Sequence, residues 1–158
     1  MSDLVITVAS YGDREAAEAD WRLMERGGWE GMYLSDAALL GKDEQGNVQV
    51  LERQSHHGWG KGAVIGAVVG VLFPPSLVAG AVVGAAGGGL AAHMNRSLDK
   101  GDLKELGDAM EAGDVSLVAV TPPDRVDALS TYLEGATKVV AGAGRLYAEE
   151  LQKELDEG

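Results

Sequence analysis

Three histidines and one glycine-rich loop are the residues whose types could do chemistry. His56 and His57 precede a long uncharged stretch, and His93 follows it. Imidazoles gathered in twos or threes hold transition metals. His57 and His93 lie equally far from Pro75, so a chain folded back at that proline brings them together. No carboxylate or thiol completes a metal site at suitable spacing. His56, His57 and His93 are therefore weak metal candidates and read first as polar boundary residues that titrate near neutrality. GWGKG (Gly58–Gly62) has the glycines and lysine of a phosphate loop. It lacks the GxxxxGK[ST] pattern and does not follow a strand into a nucleotide fold. GAGR at Gly142 carries even less of that pattern. The acidic residues are scattered as on a solvated surface, and no Ser-His-Asp signature appears. The expectation is no enzyme, no catalytic residue and no cofactor.

The stretch between the histidines is the distinctive feature. GAVIGAVVGVLFPPSLVAGAVVGAAGGG (Gly62–Gly89) carries no charge, in a chain whose formal net charge is −12. Of the 23 glycines, ten lie between Gly58 and Gly89. Gly62, Gly66 and Gly70 step by four, as do Gly80, Gly84 and Gly88, so each set lies along one face of a helix. Pro74 and Pro75 stand between them and cannot continue a helix, since proline lacks the donor and clashes with the preceding turn. The spacing predicts two helices joined by a tight turn. Gly70 and Gly80, Gly66 and Gly84, and Gly62 and Gly88 are symmetric about Pro75, so they face each other in an antiparallel hairpin. Close backbone approach of this kind is small-xxx-small packing. It must offset about 1 kcal/mol for each glycine exposed on a helix instead of alanine.

The outward faces of this hairpin carry Val64, Ile65, Val68, Val69, Val82 and Val83 among others, and they need cover. The arms have 12 and 17 residues. At about 1.5 Å per residue both fall short of the roughly 30 Å hydrocarbon core. The segment would thus enter one leaflet rather than span it twice. Trp59, Lys61, Arg96 and Lys100 gather at its open end, where they suit either a membrane interface or the solvent boundary of a buried hairpin. Its glycine and alanine content, with little leucine, makes a poor lipid-facing surface.

The elements that must hold this segment are short. LVITVAS (Leu4–Ser10) reads as a buried strand. Asp13 caps a helix through Arg26, with apolar positions at Ala16, Ala17, Leu23 and Met24 and Trp21 nearby. Strands are expected at Leu34–Leu40 and Val48–Arg53, joined as a hairpin by KDEQGN. Beyond the insertion, Asp99 or Asp102 caps a helix through Ala112. Val115–Val120 is a strand, and Pro122 and Pro123 open a helix through Leu133. Thr137–Ala143 is a last strand. A closing helix from Arg145 places Tyr147, Leu151 and Leu155 four apart. Ile6–Ala17 and Leu117–Ala128 align without gaps at an offset of 111 residues, and Trp21 then matches Tyr132. Two Asp-Arg pairs recur in this repeat, Asp13-Arg14 and Asp124-Arg125, and read as capping aspartates beside exposed arginines.

Two β-α-β units with a helix and a hairpin between them predict an α+β ferredoxin-like sandwich, carrying an inserted glycine-zipper α-helical hairpin. Residues 1–55 form its first half, 56–98 the insertion, and 99–158 the second half with a C-terminal helix. The acidic balance argues against nucleic acid and against broad adsorption to anionic lipid. The chain has no cysteine, and its N-terminus has no secretory pattern. These features fit the cytoplasm, with membrane association as the alternative.

HHGWGKGAVIGAVVGVLFPPSLVAGAVVGAAGGGLAAH, followed by DLKELGDAM and SLVAVTPPDRVDAL, resembles the bacterial domain-of-unknown-function family numbered 1269. The resemblance is most specific from Gly58 to Leu129. Members are usually called predicted membrane proteins because of the glycine-rich stretch. The resemblance implies no enzymatic activity. Together these features read as a self-associating protein, its partner a second copy of itself, with the hairpin packed inside a homo-oligomer. The alternatives are a peripheral protein that inserts the hairpin into one leaflet of membrane lipid, and a small-molecule-binding regulator.

Overall fold

The computed structural model describes residues 3–27, 36–42, 48–55, 99–111 and 115–147. The strands are β1 (Asp3–Tyr11), β2 (Asp36–Lys42), β3 (Val48–Ser55), β4 (Val115–Thr121) and β5 (Lys138–Tyr147). The helices are α1 (Arg14–Gly27), α2 (Lys100–Glu111) and α3 (Val126–Ser130), the last preceded by a 3-10 turn at Pro123–Arg125. The fold is mixed α+β. Its sheet runs β3-β2-β4-β1-β5, and all neighbours are antiparallel.

β1 and β4 lie inside the sheet and are buried on both faces, from Leu4 to Tyr11 and throughout β4. That burial explains why both read as continuous apolar runs rather than alternating ones. Odd-numbered residues build one core, in which Ala9, Tyr11, Ala37, Leu39, Leu117 and Ala119 meet α1 and α3. Even-numbered residues form the opposite face, where α2 packs over β1 and β5. The sheet thus carries helices on both sides.

The helix α1 buries Ala17, Asp20, Trp21 and Met24, a stripe at spacings of three and four. Leu23, expected on this stripe, is 45% exposed. It lies one position before Met24, about 100° round the helix. The β2–β3 pairing forms as expected, and β2 continues past its predicted end at Leu40, because Gly41 and Lys42 pair with Gln49 and Val48 on β3. The expected helix from Pro122 to Leu133 is shorter. Tyr132 and Leu133 donate to the carbonyls three residues earlier, closing tight turns instead of α-helical ones. The repeat partners Trp21 and Tyr132 both pack at the odd-numbered core.

The outer strand at each edge carries extra residues. Along β5, Val140–Ala143 runs against Val8–Ile6, and Ala143–Leu146 against Ile6–Leu4, so β5 bulges twice. Gly142 lies in one bulge and Gly144 in the other, as glycines in strands often do. These bulges carry β5 on to Tyr147, so Arg145–Tyr147 are strand and not the start of a helix. The rest of the expected C-terminal helix lies outside the described residues. On β3, Leu51 is the extra residue between the pairs Leu39–Glu52 and Leu40–Val50. It lies over Gly41, where an added Cβ would meet Leu51 Cδ1 at 2.9 Å.

Candidate functional site

The glycine ladder and its turn are Gly62, Gly66, Gly70, Pro74, Pro75, Gly80, Gly84 and Gly88. They lie outside the described residues, as do His56, His57 and His93. The chain around them is described. β3 ends at Ser55 on the edge of the sheet, and Asp99 stands in front of α2. The insertion is therefore tied to the β3 edge at one end and to the even-numbered face at the other.

Asp99 is the cap of α2. Its Oδ1 accepts from the Gly101 amide at 2.7 Å and the Asp102 amide at 3.3 Å, and its carbonyl accepts from Leu103 at 3.0 Å. These bonds satisfy donors that a helix start leaves unpaired. The LKELG motif forms the body of this helix, which seats Leu106, Ala109 and Met110 fully buried on the sheet. At its far end the last carbonyls lack helical partners. Two buried serines supply them. Ser10 Oγ donates to the Ala109 carbonyl, and Ser116 Oγ donates to the Met110 carbonyl at 3.1 Å. Ser10 and Ser116 are cross-strand partners on β1 and β4. α2 is thus closed at its start by its own aspartate and fastened at its end to the two inner strands. Sequence reading missed this pair. The available signal was a serine inside each of two largely apolar strands, since a buried hydroxyl requires a partner.

A second polar node lies on the opposite face. Tyr11 donates its hydroxyl to Asp20 Oδ2 at 2.8 Å, and the Gly135 amide donates to the same oxygen at 3.0 Å. Asp20 is only 5% exposed. The node joins β1, α1 and the connection between α3 and β5. Burial, then the hydrogen bond and negative charge of Asp20, push the Tyr11 phenol above its ordinary range. Nearby, the amide and hydroxyl of Thr137 donate to the Ser10 carbonyl at 2.8 and 3.1 Å, closing the entry to β5.

The repeated Asp-Arg pairs differ in role. Asp13 Oδ1 accepts from the Ala16 amide at 2.8 Å, so it caps α1, and exposed Arg14 pairs with Glu18 at 2.9 Å. Asp124 sits inside the 3-10 turn, whose cap position is Pro122, so it does not repeat the role of Asp13. Among the described residues, no group of three His, Cys, Asp or Glu side chains could hold a metal ion. No helix among them is long and apolar enough to cross a membrane.

Neither the curated proteins nor the solved structures include a match to this chain. A family does match, and it matches the stretch from the glycine-rich insertion through α2, β4, α3 and β5. Over residues 60–156, more than half of the 158, the chain fits the family described as "Protein of unknown function (DUF1269)", and it belongs to that family.

Proposed function

We propose that this chain is a non-enzymatic, self-associating cytoplasmic protein whose glycine-zipper hairpin packs inside a homo-oligomer. One observation carries the reading: the two glycine ladders, stepped by four and symmetric about Pro75. Glycine at such positions is useful only where another backbone comes close. The scaffold is a ferredoxin-like sandwich in which β2-β4-β1-β5 is the core sheet and β3 an added edge strand. Support comes from the strand order and from the connections β1-α1-β2 and β4-α3-β5. Each of these crosses a strand of the other unit.

The sheet edges favour association through the hairpin. An unpaired edge strand is a template for another copy, and bulges blunt it. Both outer strands are bulged, β5 twice and β3 at Leu51. The acidic outer surface keeps whole particles apart, while the uncharged insertion is drawn together. Closed symmetry then limits the assembly to a fixed size.

A second reading places the hairpin in one leaflet of a membrane. It is favoured by Trp59, Lys61, Arg96 and Lys100 around the insertion's open end. Flotation with neutral and anionic vesicles at physiological salt separates the two. The assembly reading expects the protein to stay at the bottom of the gradient with both. Quantitative flotation would replace it with the leaflet reading.

A further inference from the structure

We propose that the even-numbered face of the sheet, over β2 and β4, is the docking surface for the glycine-rich segment 62–92 of the same chain. Two rows of the sheet define the surface. Ala38 pairs with Val118, and Val118 in turn with Val8; Val120 pairs with Ile6. With Leu40 these side chains point to one side, away from α1 and α3. Ala38, Val118 and Val120 are 0% exposed and Leu40 is 2% exposed. Yet α2, the described helix on this side, packs over β1 and β5 and meets β4 at Ser116. β2 and β4 are not among the strands with which α2 makes its main contacts, so burying Ala38, Leu40, Val118 and Val120 requires a further apolar partner.

Connectivity selects the occupant. The insertion leaves from Ser55 on β3, beside β2, and returns at Asp99, at the start of a helix lying over β1 and β5. In the sheet order β2 and β4 lie between β3 and β1, and so between those two attachment points. Composition agrees. Gly62–Ala92 is 31 residues without a charge, matched to a surface of alanine, leucine and valine. The stretch 28–35 carries Trp29, Met32, Tyr33 and Leu34, but it joins the end of α1, on the odd-numbered face, to the start of β2; 43–47 is polar, and 112–114 is too short to cover two strands. The C-terminal stretch 148–158 has five acidic residues around Leu151 and Leu155, so its apolar stripe is narrow. Docking on its own sheet covers one outer face of the hairpin, and the opposite face is left for other copies. This inference does not require self-association, because a single chain can satisfy it.

The absence of native cysteine makes a disulfide test direct. Ala38→Cys is combined in the full chain with Val64→Cys, Val68→Cys, Val78→Cys or Val82→Cys in turn, and oxidised at low protein concentration. At least one pair should give a majority of intrachain disulfide, read as a mass loss of two hydrogens in a single chain. Disulfides found only between chains would overturn the proposal and assign the face to a second copy. Absence of any disulfide in all four folded variants would overturn it as well. Where a variant fails to fold, methyl nuclear Overhauser effects in the unaltered chain decide. Contacts from Val118 and Val120 to valines of 62–92 within one chain are expected. Contacts to Met32 or Leu34, or to Leu151 or Leu155, instead would assign the face to the stretch before β2 or to the C-terminal stretch and end the proposal. The oligomeric state of the same samples is read separately, so the two proposals fail independently.

Discussion

Replacing Tyr11 by Phe removes one oxygen atom and leaves the ring in place. No sizeable cavity opens, so the cost is mainly electrostatic. The lost bond ran at 2.8 Å from the phenol to the carboxylate of Asp20, which is 5% exposed. A hydrogen bond to a charged group is worth about 1.5–3 kcal/mol. The Gly135 amide still donates to the same oxygen at 3.0 Å, which keeps Asp20 partly satisfied and favours the middle of that range. A loss of about 2 kcal/mol at pH 7 corresponds to a Tm fall of roughly 4–8 °C for a chain of this size.

The pH dependence gives a second, independent signature. In the unfolded chain the phenol ionises near 10.0, whereas burial and Asp20 keep it protonated in the native state. The raised native value means that this stability is fully present below pH 10 and declines as pH rises beyond it. The decline is about 1.4 kcal/mol per pH unit. The Tyr11→Phe variant has no phenol to ionise at this position, so the gap between the two proteins should close above pH 10 and vanish at about pH 11.5. Urea unfolding at one-unit steps from pH 7 to 12 measures it. A gap that stays constant from pH 8 to 11.5, or equal stability at pH 7, would refute the buried phenol–carboxylate pairing.

Other substitutions test the rest of the frame. Ser116→Ala should cost about 1–2 kcal/mol, because the Met110 carbonyl loses its donor in a buried place. Amide exchange in α2 should quicken more than in α1; equal quickening throughout would show that the serine does not fasten that helix. Thr121 Oγ1 is buried without a hydrogen-bond partner among the described residues. Thr121→Val should therefore stabilise the protein by about 1 kcal/mol, since an unsatisfied hydroxyl is replaced by a methyl of similar shape. A loss of stability in chemical denaturation would show that the hydroxyl is paired after all.

Much of the frame was legible because it rests on local rules. Asp13 was readable as a cap, Asp99 as one of two candidates beside Asp102, and the runs LVITVAS and VSLVAV as buried strands, because both kinds of signal are short-range. The β2–β3 hairpin followed from a polar turn between two strand-like segments. Less legible were features decided by distant partners. Arg145–Tyr147 alternate poorly as a strand and suit a helix, but pairing with Asp3 and Leu4 on β1 draws them into β5. The bulges at Gly142 and Gly144 make that extension possible, and glycine spacing alone does not announce a bulge. Pro122 and Pro123 suit a helix start, but the α-helix after them spans Val126–Ser130; tight turns nonetheless bring Leu129 and Leu133 to the core.

The candidate site was legible only as a pattern. Glycine periodicity states which backbone faces can come close, but it does not name what lies on the other side of the apolar faces. The described residues add the two places where the insertion is tied down, at the β3 edge and at α2. They also add the serine pair that fixes α2, whose partners lie 99 positions apart at Ser10 and Ala109 and six apart at Ser116 and Met110. A bond of the first kind is invisible to any local window.

Self-association through paired glycines is tested most directly by particle mass in detergent-free buffer. Sedimentation velocity of the unaltered chain is compared with Gly66→Leu and Val69→Leu at physiological salt. The unaltered protein should sediment as one discrete multimer of the 16.4 kDa chain. Val69→Leu should leave that species intact, while Gly66→Leu should break it into smaller or unfolded material, because a leucine does not fit between two touching backbones. A monomeric unaltered protein, or two variants that sediment alike, would contradict the paired-glycine assembly.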